Sequence, residues 1–157
     1  MIIKYINADI TTSELKHIAH GVNCQNTMGS GVAKALFTKW PLVKQQYHSY
    51  MNNLNAQGRK PGDYLGTRMD PIEVEPNKFV HNLFTQLHYG YDGSRFVNYN
   101  AVVTALKFAM PQTDGKIAIP KIGCGLAGGD WQFMEHLLMD AFWNQDIEIW
   151  VYIGDKK

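Results

Sequence analysis

One arrangement constrains this chain more than any other: twice, a short β-forming run ends in a glycine-rich loop that opens a helix. His17–Asn23 passes through Met28–Gly31 into an apolar stripe at helical spacing, Val32, Ala35, Leu36 and Trp40. Lys116–Pro120 passes through Gly123–Gly129 to Asp130, a residue suited to cap a helix whose inward face is Trp131, Met134, Leu137, Leu138, Ala141 and Phe142. Strands alternating with helices in this way build α/β folds, with helices on both faces of a sheet. The expected architecture is a three-layer α/β/α domain with a mostly parallel, mixed central sheet, formed by residues 1–157 as a single domain. Such sheets bind ligands beyond the carboxyl ends of their strands, which is where both loops lie.

The rest of the chain fits this pattern. Met1–Ile6, Lys78–Thr85 and Ile147–Ile153 are apolar or β-branched and read as strands, and Gly62–Thr67 and Pro71–Glu75 as shorter ones. Thr11-Thr12-Ser13-Glu14 has the Ser/Thr-x-x-Glu form of a capping box and predicts a short helix there. Pro41 separates the first helical stripe from a second that carries Val43, Tyr47, Tyr50 and Leu54. Asn98 is placed to cap a helix with Tyr99, Val102, Leu106, Ala109 and Met110 on one face.

Hydrophobic residues make up 45% of the 157, which is enough to bury a core. Lys plus Arg is 15 against 14 for Asp plus Glu, so the basic field that nucleic acid or an acidic membrane surface needs is missing. No apolar run approaches the ~20 residues that span a bilayer, and the N-terminus turns polar too early for a signal peptide. Cys24 and Cys124 form no C-x-x-C pair, so reduced thiols and a cytoplasmic setting are expected. No metal-ligand spacing occurs, and no cofactor is called for.

A glycine loop that opens a helix turns backbone N–H groups and a positive helix end toward an anion. Either loop alone also reads as a tight turn, but two at matching places can clamp the phosphates of a diphosphate from opposite sides. Neither is a familiar nucleotide fingerprint. Gly29-Ser30-Gly31-Val32-Ala33-Lys34 has Lys where a dinucleotide loop has its third small residue, and it lacks the Gly-Lys-Ser/Thr of a P-loop.

Asn7-Ala8-Asp9-Ile10, the segment Gly21–Ala33, Ile119-Pro120-Lys121-Ile122-Gly123-Cys124-Gly125-Leu126 and Gly128-Gly129-Asp130-Trp131 together resemble a macrodomain. More narrowly, they resemble the short ADP-ribose 1″-phosphate phosphatases of this family. The likeness also takes in Gly62–Thr67 and Arg95–Ala101, so it spans nearly the whole chain in order. It implies ADP-ribose or its 1″-phosphate as ligand, and ADP-ribosylated proteins as a further class of partner. Asp9 would accept from the adenine amino group, with Ile10 beside it, and Asn26 would bind the distal ribose. Gly29, Ser30, Gly31 and Val32 would form one wall of the diphosphate site, and Ile122, Gly123, Cys124, Gly125, Leu126 and Ala127 the other.

Removing a 1″-phosphate requires an in-line water, a base, and donors for the phosphoryl charge. His20, which matches a histidine of the yeast-type phosphatases, Asn26 and Asp130 are the expected chemical residues, although His20 also reads as a core histidine and Asp130 as a plain helix cap. The related glycohydrolases use a Lys nucleophile and an Asp, and those places fall here on Gln86 and Ala127, which cannot form the adduct or move a proton. Two rivals follow: a module that binds ADP-ribose without chemistry, and a hydrolase of ADP-ribosyl carboxylate esters that uses bound water. His88-Tyr89-Gly90-Tyr91-Asp92-Gly93 reads as a loop over the distal ribose.

Overall fold

The computed structural model describes residues 1–154. Six strands, β1 (Ile2–Ile6), β2 (His17–Asn23), β3 (Ile72–Glu75), β4 (Lys78–Gln86), β5 (Lys116–Ile119) and β6 (Glu148–Tyr152), form one sheet in the order β1-β6-β5-β2-β4-β3. Every neighbouring pair is parallel except β3, which runs antiparallel to β4 at one edge. Helices α1 (Gly31–Lys39) and α2 (Leu42–Ala56) pack on one face, and α3 (Tyr99–Ala109) and α4 (Trp131–Ala141) on the other. The expected three-layer α/β/α arrangement around a mixed, mostly parallel sheet is the one observed.

The two-residue period of a strand divides its side chains between the two layers. Ile18 and Val22 of β2 join Leu36, Val43, Tyr47 and Phe84 in one core. Ala19 joins Leu83, Ile117, Val102, Leu106 and Leu138 in the other. Strands buried on both faces are almost wholly apolar, as β5 and β6 are.

Local chemistry sets the helix ends. Asn98 Oδ1 accepts from Ala101 N (3.0 Å) at the start of α3, and Asp130 Oδ1 from Gln132 N (2.9 Å) at the start of α4. Pro41 separates α1 from α2 as expected. Two expectations are corrected. The first-turn cap is Asp9, whose Oδ1 accepts from Thr11 N and Oγ1 (both 2.8 Å) ahead of a three-residue 3₁₀ turn, Ile10–Thr12, so Glu14 lies beyond any capping box. Gly62–Thr67 is not a strand. Pro61 and Asp63, which accepts from Lys60 N, wind Pro61–Tyr64 into a 3₁₀ turn, and only Arg68 then bridges to Leu83.

The topology positions a crevice. After β2 the chain leaves through α1 and α2 toward β4, and after β5 through α4 toward β6, on the opposite face and in the opposite direction. β2 and β5 are therefore the switch point of the sheet. Their register is given by one pair, Ile18 with Ala118. No helix among the described residues is long and apolar enough to cross a membrane.

Candidate functional site

Two adjoining chambers open at that switch point. The inner one, about 340 Å³, is floored by the ends of β2 and β4 and roofed by Tyr89, Gly90 and Tyr91. The outer one, about 530 Å³, is lined by Asp9, Ile10, Ala35, Cys124 and the end of β6 through Gly154. Gly31, Val32, Pro120, Lys121 and Gly125 line both chambers, so the two glycine loops meet at the neck between them.

The first loop is braced from below. Asn23 Oδ1 accepts from Gln25 N (2.9 Å) while its Nδ2 donates to Thr27 O (2.8 Å), closing a turn. The buried Tyr47 hydroxyl donates to Asn23 O (2.9 Å) and accepts from Thr27 N (3.2 Å). α1 then begins without a side-chain cap, because the Ser30 hydroxyl pairs with the Tyr91 hydroxyl (3.3 Å) instead of the helix. The first turn of α1 therefore carries no side-chain cap, whereas α3 and α4 are capped.

The second loop is folded on itself by Cys124 N to Lys121 O (3.0 Å), Gly128 N to Gly125 O (3.1 Å) and Gly129 N to Gly123 O (2.7 Å). The N–H groups of Gly125, Leu126 and Ala127 find no backbone partner among the described residues. Its glycines divide into two kinds. Gly123 (φ 74°) and Gly128 (φ 72°) are left-handed, and a Cβ on Gly123 would collide with Val97, so the fold itself demands them. Gly125, like Gly29 in the first loop, is not left-handed, and a Cβ at either would meet no heavy atom within 4 Å. Packing demands glycine at neither place; both border the cleft.

Most residues expected at a ligand border these chambers. Asp9, Ile10 and Cys124 line the outer chamber alone, Gly31, Val32 and Gly125 line both, and Gly29, Ser30, Ile122, Gly123, Leu126 and Ala127 line the inner one. Of the three expected chemical residues, only His20 reaches the lining. It is 1% exposed, its Nε2 bonds Asn82 Oδ1, and burial pushes its pKa down to about 4, so it is neutral near pH 7. Asn26, expected at the distal ribose, lines neither chamber. Its backbone is left-handed (φ 57°), and its side chain turns onto α2, donating to Asn52 Oδ1 (2.9 Å) and pairing with His48 Nδ1 (2.7 Å). Asp130 also lines neither chamber, being engaged as the α4 cap.

Sequence reasoning passed over Thr85, Lys121 and Tyr152 as lining residues. They lie at or just beyond the carboxyl ends of strands, and that is the one signal that could have found them. Gln86 and Ala127 do face the inner chamber, and among the described residues no carboxylate does. Burial first, and the nearby Asp130 second, raise the Cys124 thiol to about 11, and burial raises Cys24 to about 12, so neither is a thiolate nucleophile near neutrality. Among the described residues no three His, Cys, Asp or Glu side chains gather as a metal cluster would require.

The Macro domain family model matches residues 19–138. An uncharacterised 17.5 kDa protein of Enterobacteria phage T4 is 30% identical over 141 residues, covering 88% of each chain. An ADP-ribose 1″-phosphate phosphatase of Candida albicans is 26% identical, over 95% of this chain and 99% of its own. A human ADP-ribose glycohydrolase is 23% identical, over 96% and 90%. A solved structure of a Bacteroides thetaiotaomicron protein of unknown function superposes with a TM-score of 0.81 at 29% identity, covering 98% of both chains.

Proposed function

The chain belongs to the Macro domain family, and from that membership we propose that it binds ADP-ribose across the two chambers and hydrolyses ADP-ribose 1″-phosphate to ADP-ribose and inorganic phosphate. The observation that carries this reading is the neck. Two loops present unpartnered N–H groups there, and Gly29 and Gly125 leave backbone open where neither packing nor dihedral angle requires glycine. A diphosphate lies in that gap, adenine lies in the outer chamber with its amino group on Asp9, and the distal ribose with its phosphate occupies the inner chamber under Tyr91. Relatives named for hydrolysis of ADP-ribose derivatives support a hydrolase.

Phosphoryl transfer depends mostly on position and on stabilising charge over the equatorial oxygens, with little covalent work for the protein. An inner chamber of amides, hydroxyls and one lysine, Lys121, suits that chemistry. Water attacks phosphorus, the ester oxygen leaves to the ribose with a proton, and inorganic phosphate departs. His20 holds the floor of the chamber, Asn26 ties the first loop to α2, and Asp130 anchors the helix behind the second loop. A lysine-adduct mechanism is not proposed, because Gln86 and Ala127 stand at those places.

A second reading, a module that binds without chemistry, is favoured by the lack of any carboxylate around the inner chamber among the described residues. Calorimetric titration with ADP-ribose, followed by phosphate release from ADP-ribose 1″-phosphate in EDTA, separates the two. Binding with release supports the phosphatase, binding without release supports the binding module, and no binding refutes both.

A further inference from the structure

Among the described residues, one side chain around the inner chamber carries a charge near pH 7. The lining is amide, hydroxyl, aromatic or apolar apart from Lys121 and His20, and His20 is neutral there. Asp9, the one carboxylate of the outer chamber among the described residues, does not border the inner one. A cation set alone in a neutral chamber lets it choose among ligands by charge, which amides and hydroxyls do far less well.

The fold fixes where this cation starts and leaves its head unused. β5 ends at Ile119, and Pro120 O accepts from Ile122 N (2.8 Å), a γ-turn with Lys121 at its centre. Lys121 O then accepts from Cys124 N (3.0 Å), so the backbone of Lys121 is held from both sides at the neck. Its side chain is exposed and enters none of the ion pairs among the described residues, which engage Lys4, Arg59, Arg68 and Lys116. The ammonium groups of Lys39 and Lys78, by contrast, tie elements together by donating to the carbonyls of Thr11 and Ser13. The diphosphate in the neck already has donors, the N–H groups of Gly125, Leu126 and Ala127. A phosphate on the distal ribose finds no charge around the inner chamber but Lys121 among the described residues.

We propose that Lys121 makes the inner chamber selective for a phosphorylated distal ribose: its ammonium pairs with that phosphate, while the diphosphate is left to backbone amides. This role rests on the ADP-ribose reading above. ADP-ribose and its 1″-phosphate share the adenine, both riboses and the diphosphate, and differ by a group that carries about 1.5 to 2 further negative charges at pH 7. Neutral donors in the neck hold the shared part of both alike. A compact ammonium on a flexible four-carbon stem follows the added charge.

The test compares the wild type with Lys121→Met, which keeps an unbranched chain without the charge, and Lys121→Arg, which keeps the charge. ADP-ribose is read by calorimetric titration, and ADP-ribose 1″-phosphate by kcat/KM for phosphate release, or by titration if the wild type releases none. Lys121→Met is expected to lose about 10–100-fold toward the 1″-phosphate, to stay within about fivefold of the wild type toward ADP-ribose, and to melt at the wild-type temperature. Lys121→Arg is expected to keep most of the preference. An unchanged preference in Lys121→Met, a Lys121→Arg protein as impaired as Lys121→Met, or a lower melting temperature would each overturn the proposal. Equal losses toward both nucleotides would overturn it as well, because they place the ammonium on the diphosphate. If the wild type releases no phosphate yet prefers the 1″-phosphate through Lys121, the phosphatase reading fails and this proposal stands. If it binds neither nucleotide, both fail, and if it binds both and Lys121 is silent, only the proposal fails.

Discussion

Replacing Gly125 with Val separates the fold from the site within a single loop. Gly125 lines both chambers, is not left-handed, and has no heavy atom within 4 Å of its Cβ position, so the fold leaves room where the new side chain starts. Restricting the unfolded chain should even add roughly 0.4–1 kcal/mol of stability. The ligand meets the opposite effect, because the valine carbons stand where a diphosphate must reach the loop N–H groups. Losing about two charge-assisted hydrogen bonds, at roughly 1.5–3 kcal/mol each, weakens ADP-ribose by about 10²–10⁴-fold. The control is Gly123→Ala, two residues earlier, where the left-handed backbone and the collision with Val97 act on folding. Strain of ~1–2 kcal/mol and overpacking of ~1–3 kcal/mol should lower its melting temperature by roughly 4–20 °C. Calorimetry and thermal melts read both variants. A Gly125→Val protein that binds ADP-ribose like the wild type, or that melts well below it, would refute the reasoning.

Three further outcomes are expected. Asp130→Ala removes the α4 cap, so it should cost ~1 kcal/mol, or roughly 2–4 °C in a thermal melt, with phosphate release within a few-fold of wild type; abolished release would return Asp130 to the chemistry. Asp9→Asn keeps Oδ1 for its cap on Thr11 but turns a donor toward the adenine amino group, so titration should find ADP-ribose several-fold weaker and the melt nearly unchanged. Burial holds His20 at about 4 and His81 at about 3, below the ordinary 6.5, so the unfolded chain binds more protons in that window. Stability is then full above pH 6.5 and falls with the pH toward 4, His20 alone accounting for about 3 kcal/mol; denaturant unfolding that is flat from pH 7 to 4.5 would contradict this.

The layered fold was legible because its signals are local. Apolar side chains recur at helical or strand spacing, Asn98 and Asp130 each reach a backbone N–H two or three residues ahead, and Pro41 breaks a helix without help from any distant residue. The two glycine loops were legible for the same reason, and with them the edge of the sheet at which a ligand would lie.

Within those loops the tertiary structure decided which residues face the cleft. Asn26 looks like a ligand-binding amide in sequence, but His48 and Asn52, a helix away, draw it out of the cleft. Gly123 and Gly125 are the same residue type two positions apart, and only the presence of Val97 beside one of them makes it a demand of packing. Thr85 follows Leu83 and Phe84 near the end of β4, and its place beneath the inner chamber exists only because β2 and β4 fall out of step at Asn23. Periodicity and capping act over a few residues and can be read from spacing. The direction of a side chain at the end of a strand depends on atoms brought there by other elements, and it is settled only when those elements pack.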